Sequence, residues 1–305
     1  MTHSVFIDGE AGTTGLQIRD RLLGRDDIRL VQVDPARRKD TDARREAFGQ
    51  ADVAILCLPD DAAREAVALT ESMDVRLIDA STAHRIDPDW VFGFPELAPE
   101  MREMIAAARF VSNPGCYSTG SIAIIAPLVA AGLIDEAEAL SINAVSGYTG
   151  GGKSMIAEYE AGEAPPHFVY GLNQRHKHIP EIMTHGGLLM QPIFAPSVGN
   201  FAQGMAVQVP LHLNEDRSIA ALHQALSDHY AGEQFVQVVP AGQIGARIDP
   251  TVLNNTNLMR ISVHGDEDAG CATIVAVLDN LGKGASGAAV QNLNIMLGLS
   301  ENASL

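Results

Sequence analysis

Short apolar runs alternate with helical stretches through the first 110 residues, and this alternation limits the fold more than any other feature of the chain. Val5-Phe6-Ile7 is strand-like and runs at once into the turn Gly9-Glu10-Ala11-Gly12-Thr13-Thr14-Gly15. Residues 16–23 then carry a helical pattern closed by Gly24. Residues 28–33, 53–58 and 75–78 read as further strands. The run 53–58 is almost continuously apolar, as a strand buried on both faces must be. Pro59-Asp60-Asp61 opens another helix, with proline near the first turn and acids against the helix dipole. Strands alternating with helices predict an α/β fold built on a doubly wound parallel sheet.

The glycine-rich turn falls between the first strand and the first helix. A dinucleotide pyrophosphate needs that geometry, because small residues admit the phosphate and the helix N-terminus attracts its charge. Gly9, Gly12, Thr13, Thr14 and Gly15 are therefore candidate cofactor residues. The spacing is G-x-x-G-x-x-G rather than G-x-G-x-x-G, so the signal comes from its strand–turn–helix context. Asp34 ends the second strand, where an acid would hold ribose hydroxyls. Arg37, Arg38 and Lys39 follow, and in an acidic protein they point to a 2′-phosphate, hence NADP(H); a solvated charged loop is the alternative.

Ser112-Asn113-Pro114-Gly115-Cys116-Tyr117 is the segment richest in chemistry. A strand-like run, 109–111, precedes it, and an apolar helical run, 121–131, follows. The Pro-Gly turn places Cys116 at or near a helix N-terminus, where unpaired amides and the dipole favour a thiolate. Cys57 and Cys271 lie in apolar runs and read as inert core residues.

The 305 residues suffice for two domains, and the formal net charge of -17 argues against nucleic acid or anionic membranes as partners. Three widely spaced cysteines give no disulfide framework and no metal pair. No basic leader and no long apolar run is evident, so a reducing cytoplasm is the expected compartment.

Beyond residue 140 the strands lengthen. Runs 206–213, 235–239, 258–264 and 271–278 with few helices between them predict a mixed or antiparallel sheet in a second domain. A helical stretch from 284 to 299 closes the chain. Ser146 to Ser154 is a glycine-rich loop ending in Lys153, formally spaced like a P-loop but lacking its context; a flexible connector is the alternative. His176 and His178, in Arg175-His176-Lys177-His178-Ile179-Pro180-Glu181, lack a third ligand for a metal and suit acid–base work instead. Asp279-Asn280-Leu281-Gly282-Lys283-Gly284 joins the last strand to the last helix. There Asn280 can meet a nicotinamide carboxamide or simply form a turn. Arg85, Lys153 and Arg260 are candidate contacts for a substrate carboxylate or phosphate, or else surface cations.

Together these segments, in order along essentially the whole chain, resemble the short-form N-acetyl-γ-glutamyl-phosphate reductases. The motifs are Gly9-x-x-Gly12-x-x-Gly15, Asp79-Ala80-Ser81-Thr82-Ala83-His84-Arg85, Phe92-Gly93-Phe94-Pro95-Glu96, Ser112 to Tyr117, His176 to Glu181 and Asp279 to Ala285. The resemblance implies a Rossmann-type NADP-binding domain over 1–115, completed by a C-terminal helix within 284–305. It also implies an α+β catalytic and oligomerisation domain over 116–283. It adds Ser81, Thr82 and Asn280 to the cofactor set and Asn113 to the substrate set. The implied reaction is reduction of a small acyl phosphate through a Cys116 thioester, with His176 or His178 handling the proton and no metal. The implied assembly is a homodimer or homotetramer, and the implied pathway is arginine biosynthesis. A one-carbon-longer aminoadipyl substrate, aspartate semialdehyde, or a sensor without turnover are the competing readings.

Overall fold

The computed structural model describes residues 2–245 and 247–305. Two compact units divide the chain, Met1–Pro114 with Ala285–Leu305, and Gly115–Gly284. Among the described residues the first unit holds six strands: β1 (His3–Asp8), β2 (Ile28–Val31), β3 (Val53–Leu56), β4 (Arg76–Asp79), β5 (Val91–Phe92) and β6 (Phe110–Ser112). They form one sheet in the order β2-β1-β3-β4-β6-β5, and every neighbouring pair is parallel. Its helices are α1 (Thr13–Leu22), α2 (Thr41–Gly49), α3 (Asp60–Leu69), α4 (Met101–Ala107) and the C-terminal helix Gly287–Met296.

The period of two along β3 explains why this sheet is covered on both sides. Val53 and Ile55 face Ile18 and Leu22 of α1, Ile105 of α4, and Val290 and Leu293 of the C-terminal helix. Ala54 and Leu56 face the opposite way, toward Phe48 of α2 and Ala66 of α3. Helix α1 begins at Thr13, three residues before the apolar pattern. First-turn positions tolerate threonine and glycine, and Gly12 in extended conformation serves as N-cap.

The second unit carries β7 (Ser141–Gly147), β8 (His167–Val169), β9 (Ile193–Gly199), β10 (Met205–His212), β11 (Val236–Val238), β12 (Met259–Asp266) and β13 (Cys271–Leu278). Their order is β11-β12-β13-β10-β7-β9-β8. Pairs β7/β9 and β11/β12 are parallel and the rest antiparallel, so the sheet is mixed. Helices α5 (Cys116–Ala130), α6 (Gly152–Glu160), α7 (Ile179–Gly186), α8 (Ile219–His229) and α9 (Ala241–Ile244) accompany it, more than the sequence pattern showed. Helix α5 is apolar on all sides and buried, packed on the sheet with α7 and α8 against it. Pro127 inside it removes the amide that would bond the Ala123 carbonyl. The Tyr230 hydroxyl donates to that carbonyl instead, at 2.8 Å.

The opposite face of this sheet is only partly covered. Ala206, Val275 and Val277 pack with Ile248, Leu253 and Leu258. Farther along, Asn143, Pro210, His212 and Cys271 are exposed. Cys271 is thus a surface residue, not an inert core one. It opens β13 in register with His212 and Asp266, its sulfur 3.6 Å from His212 Nδ1. Cys57 lies just past β3. Burial first, then the Asp79 and Asp8 carboxylates, push its thiol up to about 12, which keeps it unreactive. Among the described residues no helix is long and apolar enough to cross a membrane.

Candidate active site

Helix α5 starts at Cys116 itself, five residues before the apolar run, because small and polar residues fill its first turn. Gly115 is the N-cap, in extended conformation with no side chain to cap the helix. The capping contact comes from α7. Glu181 Oε1 accepts from the Gly115 amide at 2.8 Å, and Oε2 accepts from Ser118 Oγ at 2.7 Å. The first intrahelical bond is Thr119 N–H to the Gly115 carbonyl. The amides of Cys116 and Tyr117 precede it and lie at the positive end of the dipole.

His178 is the N-cap of α7, 4% exposed, and Pro180 sits in the first turn. The His178 amide donates to His176 Nδ1 at 3.2 Å, so the neutral His176 ring carries its proton on Nε2. The two imidazoles are 4.8 Å apart, and the Tyr117 ring lies 5.9 Å from His176 and 5.8 Å from His178. Tyr170, just after β8, is 5.6 Å from His176 and hydrogen-bonds Tyr117. Burial pushes the Tyr170 hydroxyl up to about 12, and a Cys116 thiolate adds to the rise. Burial, then Tyr170 and Cys116, raise Tyr117 well above its ordinary range. Its hydroxyl donates to the Ser197 carbonyl at 2.9 Å. Burial, helped by Lys177, holds His176 down at about 4, so this ring is neutral at pH 7. Tyr117, Tyr170, His176 and His178 therefore share one aromatic cluster in the second unit, with Cys116 next to Tyr117 and close enough for its charge to raise both tyrosine hydroxyls. Among the described residues no group of His, Cys, Asp and Glu side chains is disposed to hold a metal ion.

In the first unit, Gly9 has φ +87°, and a Cβ there would sit 2.3 Å from the Cys57 carbonyl oxygen. A Cβ on Gly15 would sit 2.6 Å from the Gly9 oxygen. The turn is thus bare backbone leading into α1. The amides of Thr13, Thr14 and Gly15 precede its first helical hydrogen bond, from Leu16 to the Gly12 carbonyl. Ser81 and Thr82 follow β4 at the same carboxyl edge of the sheet. The Ser81 hydroxyl donates to Asp79 at 2.6 Å, and Thr82 donates to Asp60 through both amide and hydroxyl. Arg37 and Arg38 are exposed beyond β2, Arg37 paired with Asp40 at 3.1 Å.

Several candidates are engaged within the protein. Arg85 is buried and donates to the carbonyls of Asn113 and Ala80, each at 3.0 Å. Asn113 Nδ2 donates to the Ala285 carbonyl, and its Oδ1 accepts from Asn292. Asn280 accepts from the Gly204 amide and donates to Thr149, which ties the glycine-rich loop to the sheet. Lys153 is exposed in the first turn of α6, and Arg260 is half-buried on β12. Glu181, Gly284 and Tyr170 enter the site through the packing, not through a residue type that announces a role. Glu181 and Gly284 fall inside the motifs His176 to Glu181 and Asp279 to Ala285, and Glu181 directly follows a first-turn proline of α7.

Residues 10–105 match the semialdehyde dehydrogenase, NAD binding domain, and residues 116–280 match the semialdehyde dehydrogenase, dimerisation domain. N-acetyl-gamma-glutamyl-phosphate reductases from Brucella ovis and Brucella anthropi are each 53% identical over 309 aligned residues. These alignments cover 98% of this chain and 100% and 99% of those proteins. The fold is shared with aspartate semialdehyde dehydrogenase II of Vibrio cholerae complexed with ASA (TM-score 0.71, 14% identity, 98% of this chain and 99% of that one). It is also shared with the Candida albicans aspartate semialdehyde dehydrogenase with NADP (TM-score 0.69, 14% identity, 100% and 99%). With 53% identity along almost its whole length, the chain belongs to the N-acetyl-gamma-glutamyl-phosphate reductase family of semialdehyde dehydrogenases.

Proposed function

We propose that this protein reduces N-acetyl-γ-glutamyl phosphate to N-acetylglutamate γ-semialdehyde and phosphate, using NADPH and a thioester on Cys116, as a step of arginine biosynthesis. The observation that carries this reading is Cys116 as the first residue of a buried helix, followed at once by Tyr117, whose ring lies against His176 and His178. His178 takes the thiol proton. The thiolate attacks the acyl carbon, the bond to phosphate breaks, and His178 returns the proton to the departing phosphate oxygen. The first-turn amides of α5, at the positive end of its dipole, would stabilise the oxyanion, while Glu181 engages the amide of Gly115. Collapse of the reduced tetrahedral adduct expels the Cys116 thiolate and releases the aldehyde. His176, neutral at pH 7, fixes the His178 backbone.

The bare turn at Gly9 and Gly15 fits a dinucleotide, because any side chain there would meet backbone and the α1 amides face the turn. Gly9, Gly12, Thr13, Thr14 and Gly15 would hold the pyrophosphate, and Arg37 and Arg38 the 2′-phosphate. When bound, NADPH supplies the hydride that reduces the thioester. Arg85 and Asn113 serve this reading as supports of the loop before Cys116, and Lys153 and Arg260 remain the candidate cations for substrate anions. The part-covered sheet face and exposed Val169, Leu172, Leu189, Met190 and Ile193 support self-association as a homodimer or homotetramer. The cytoplasm is the compartment this reading requires.

The test is reduction of NADP+ by N-acetylglutamate γ-semialdehyde with and without phosphate. Phosphate-dependent turnover, lost in C116A while NADPH binding persists, is expected. A wild-type protein that binds NADPH but gives no phosphate-dependent turnover overturns the reading.

A further inference from the structure

The Glu181 carboxylate joins the first turns of two helices that carry the two halves of the candidate chemistry. Glu181 is the third residue of α7 and is 1% exposed. Its two oxygens take one donor each from α5, the Gly115 amide and the Ser118 hydroxyl. Gly115 caps the helix that begins with Cys116, and His178 caps the helix that holds Glu181. A glutamate at the third position of a helix ordinarily reaches back to its own N-cap amide. This one spans to the neighbouring helix. Its charge does not help the thiolate, because an anion at the start of α5 draws on the same dipole and amides. Two contacts to successive parts of one turn fix both the distance and the rotation of α5 against α7.

We infer that Glu181 is a positioning residue, a hydrogen-bonded strut that sets the spacing between the Cys116-bearing start of α5 and the His178-bearing start of α7. The inference rests on the proposed roles of Cys116 and the histidines. The titratable groups nearest the strut along its two elements are Cys116 and Tyr117 at the start of α5, and His178 and His185, three residues before and four after Glu181 on α7; Lys177 is exposed. A strut needs two polar contacts and no charge. Glutamine meets that need, since its oxygen accepts from Gly115 and its amide donates to Ser118 Oγ. Alanine removes both contacts and strands two buried donors.

The experiment follows iodoacetamide alkylation of Cys116 across pH, located by mass spectrometry, in wild type, E181A and E181Q, with NADPH binding and thermal unfolding as controls. E181A is expected to alkylate about 10-fold more slowly at neutral pH, the scale of a small misplacement of reacting groups. E181Q is expected to restore the rate to within about threefold, since it keeps both hydrogen bonds. A wild-type profile in E181A overturns the strut. So does E181Q as slow as E181A, which would assign the effect to charge, or faster alkylation in both, which would make the carboxylate a brake on the thiolate. If E181A does not fold, S118A removes one contact alone. A smaller slowing supports the strut, and a wild-type profile in folded S118A overturns it. Alkylation needs no substrate, so a wild-type protein inactive toward the semialdehyde sinks the proposed reaction and leaves this test readable.

Discussion

Gly284 stands so close to Cys116 that a Cβ at position 284 would meet the Cys116 Cβ at 2.8 Å and its Cα at 3.2 Å. The backbone between the last strand and the last helix is therefore the wall against which the nucleophile rests. Only a residue without a side chain leaves the first turn of α5 where it is. Gly284→Ala is expected to push Cys116 aside and lower kcat about 100-fold, the cost of misplacing a reacting group by an ångström. Overpacking should cost only about 1–3 kcal/mol of stability. Steady-state kinetics beside urea unfolding separate the two effects, and an unchanged kcat in the folded variant would show that the wall has slack.

Tyr230 closes the gap that Pro127 opens in α5, through its hydroxyl on the Ala123 carbonyl. Tyr230→Phe should cost about 1–3 kcal/mol in urea unfolding, because it leaves a buried carbonyl without its donor. In a Pro127→Ala background the helix regains an amide for that carbonyl, so the same substitution should cost less. Equal costs in the two backgrounds would mean that the hydroxyl does not stand in for the missing amide.

The parallel sheet was legible because buried parallel strands are unbroken apolar runs, as 53–58 shows, and because glycine and proline punctuate the turns. Helix α2 was not, since only Ala43, Ala47 and Phe48 of its nine residues are buried and the rest are charged or polar. Helix α6 has no buried residue and β8 has three residues, too little for a periodic signal. At the site, Cys116 and the two histidines announced themselves by residue type and local context. Glu181 and Gly284 did not, because their partners lie far away in sequence and only the packed α5 brings them together. Cys271 misled for a related reason. An apolar run carries no sign of which face of its strand stays open, and its first residue falls on the part-covered face.

Arg44 pairs with Asp8 at 2.7 Å, and both side chains are largely buried at the carboxyl end of β1. Burial pushes the Asp8 carboxyl up, and Arg44 opposes the rise. Arg44→Met should cost about 3 kcal/mol at neutral pH, because it leaves a buried carboxylate without its cation. The cost should shrink as the pH falls through the raised Asp8 value and the carboxyl becomes neutral. Adding Asp8→Asn should recover most of the loss. Denaturant unfolding of the three variants at neutral and acidic pH checks both statements, and a double variant no better than Arg44→Met would refute the pairing argument.

His176 is held at about 4 against an ordinary 6.5, by burial first and Lys177 second. Well above pH 7 the ring is neutral in the folded and unfolded chains alike, so it contributes nothing to pH dependence there. Between 6.5 and about 4 the unfolded chain gains a proton that the folded chain refuses. The unfolded state then binds more protons, and stability falls as the pH drops through that window. Below it both states are protonated and the loss levels off. His176→Gln removes the titration, so the Tm of wild type should drop below that of the variant progressively on acidification, measured relative to their neutral-pH difference. The same shift bears on catalysis, because so weak a base is poorly matched to carrying a thiol proton at neutral pH. His178→Asn should therefore lower kcat by about 100-fold or more, the usual worth of a general base, while His176→Gln has the smaller effect. Parallel Tm curves for wild type and His176→Gln, with equal losses of kcat in the two variants, would return the proton to His176.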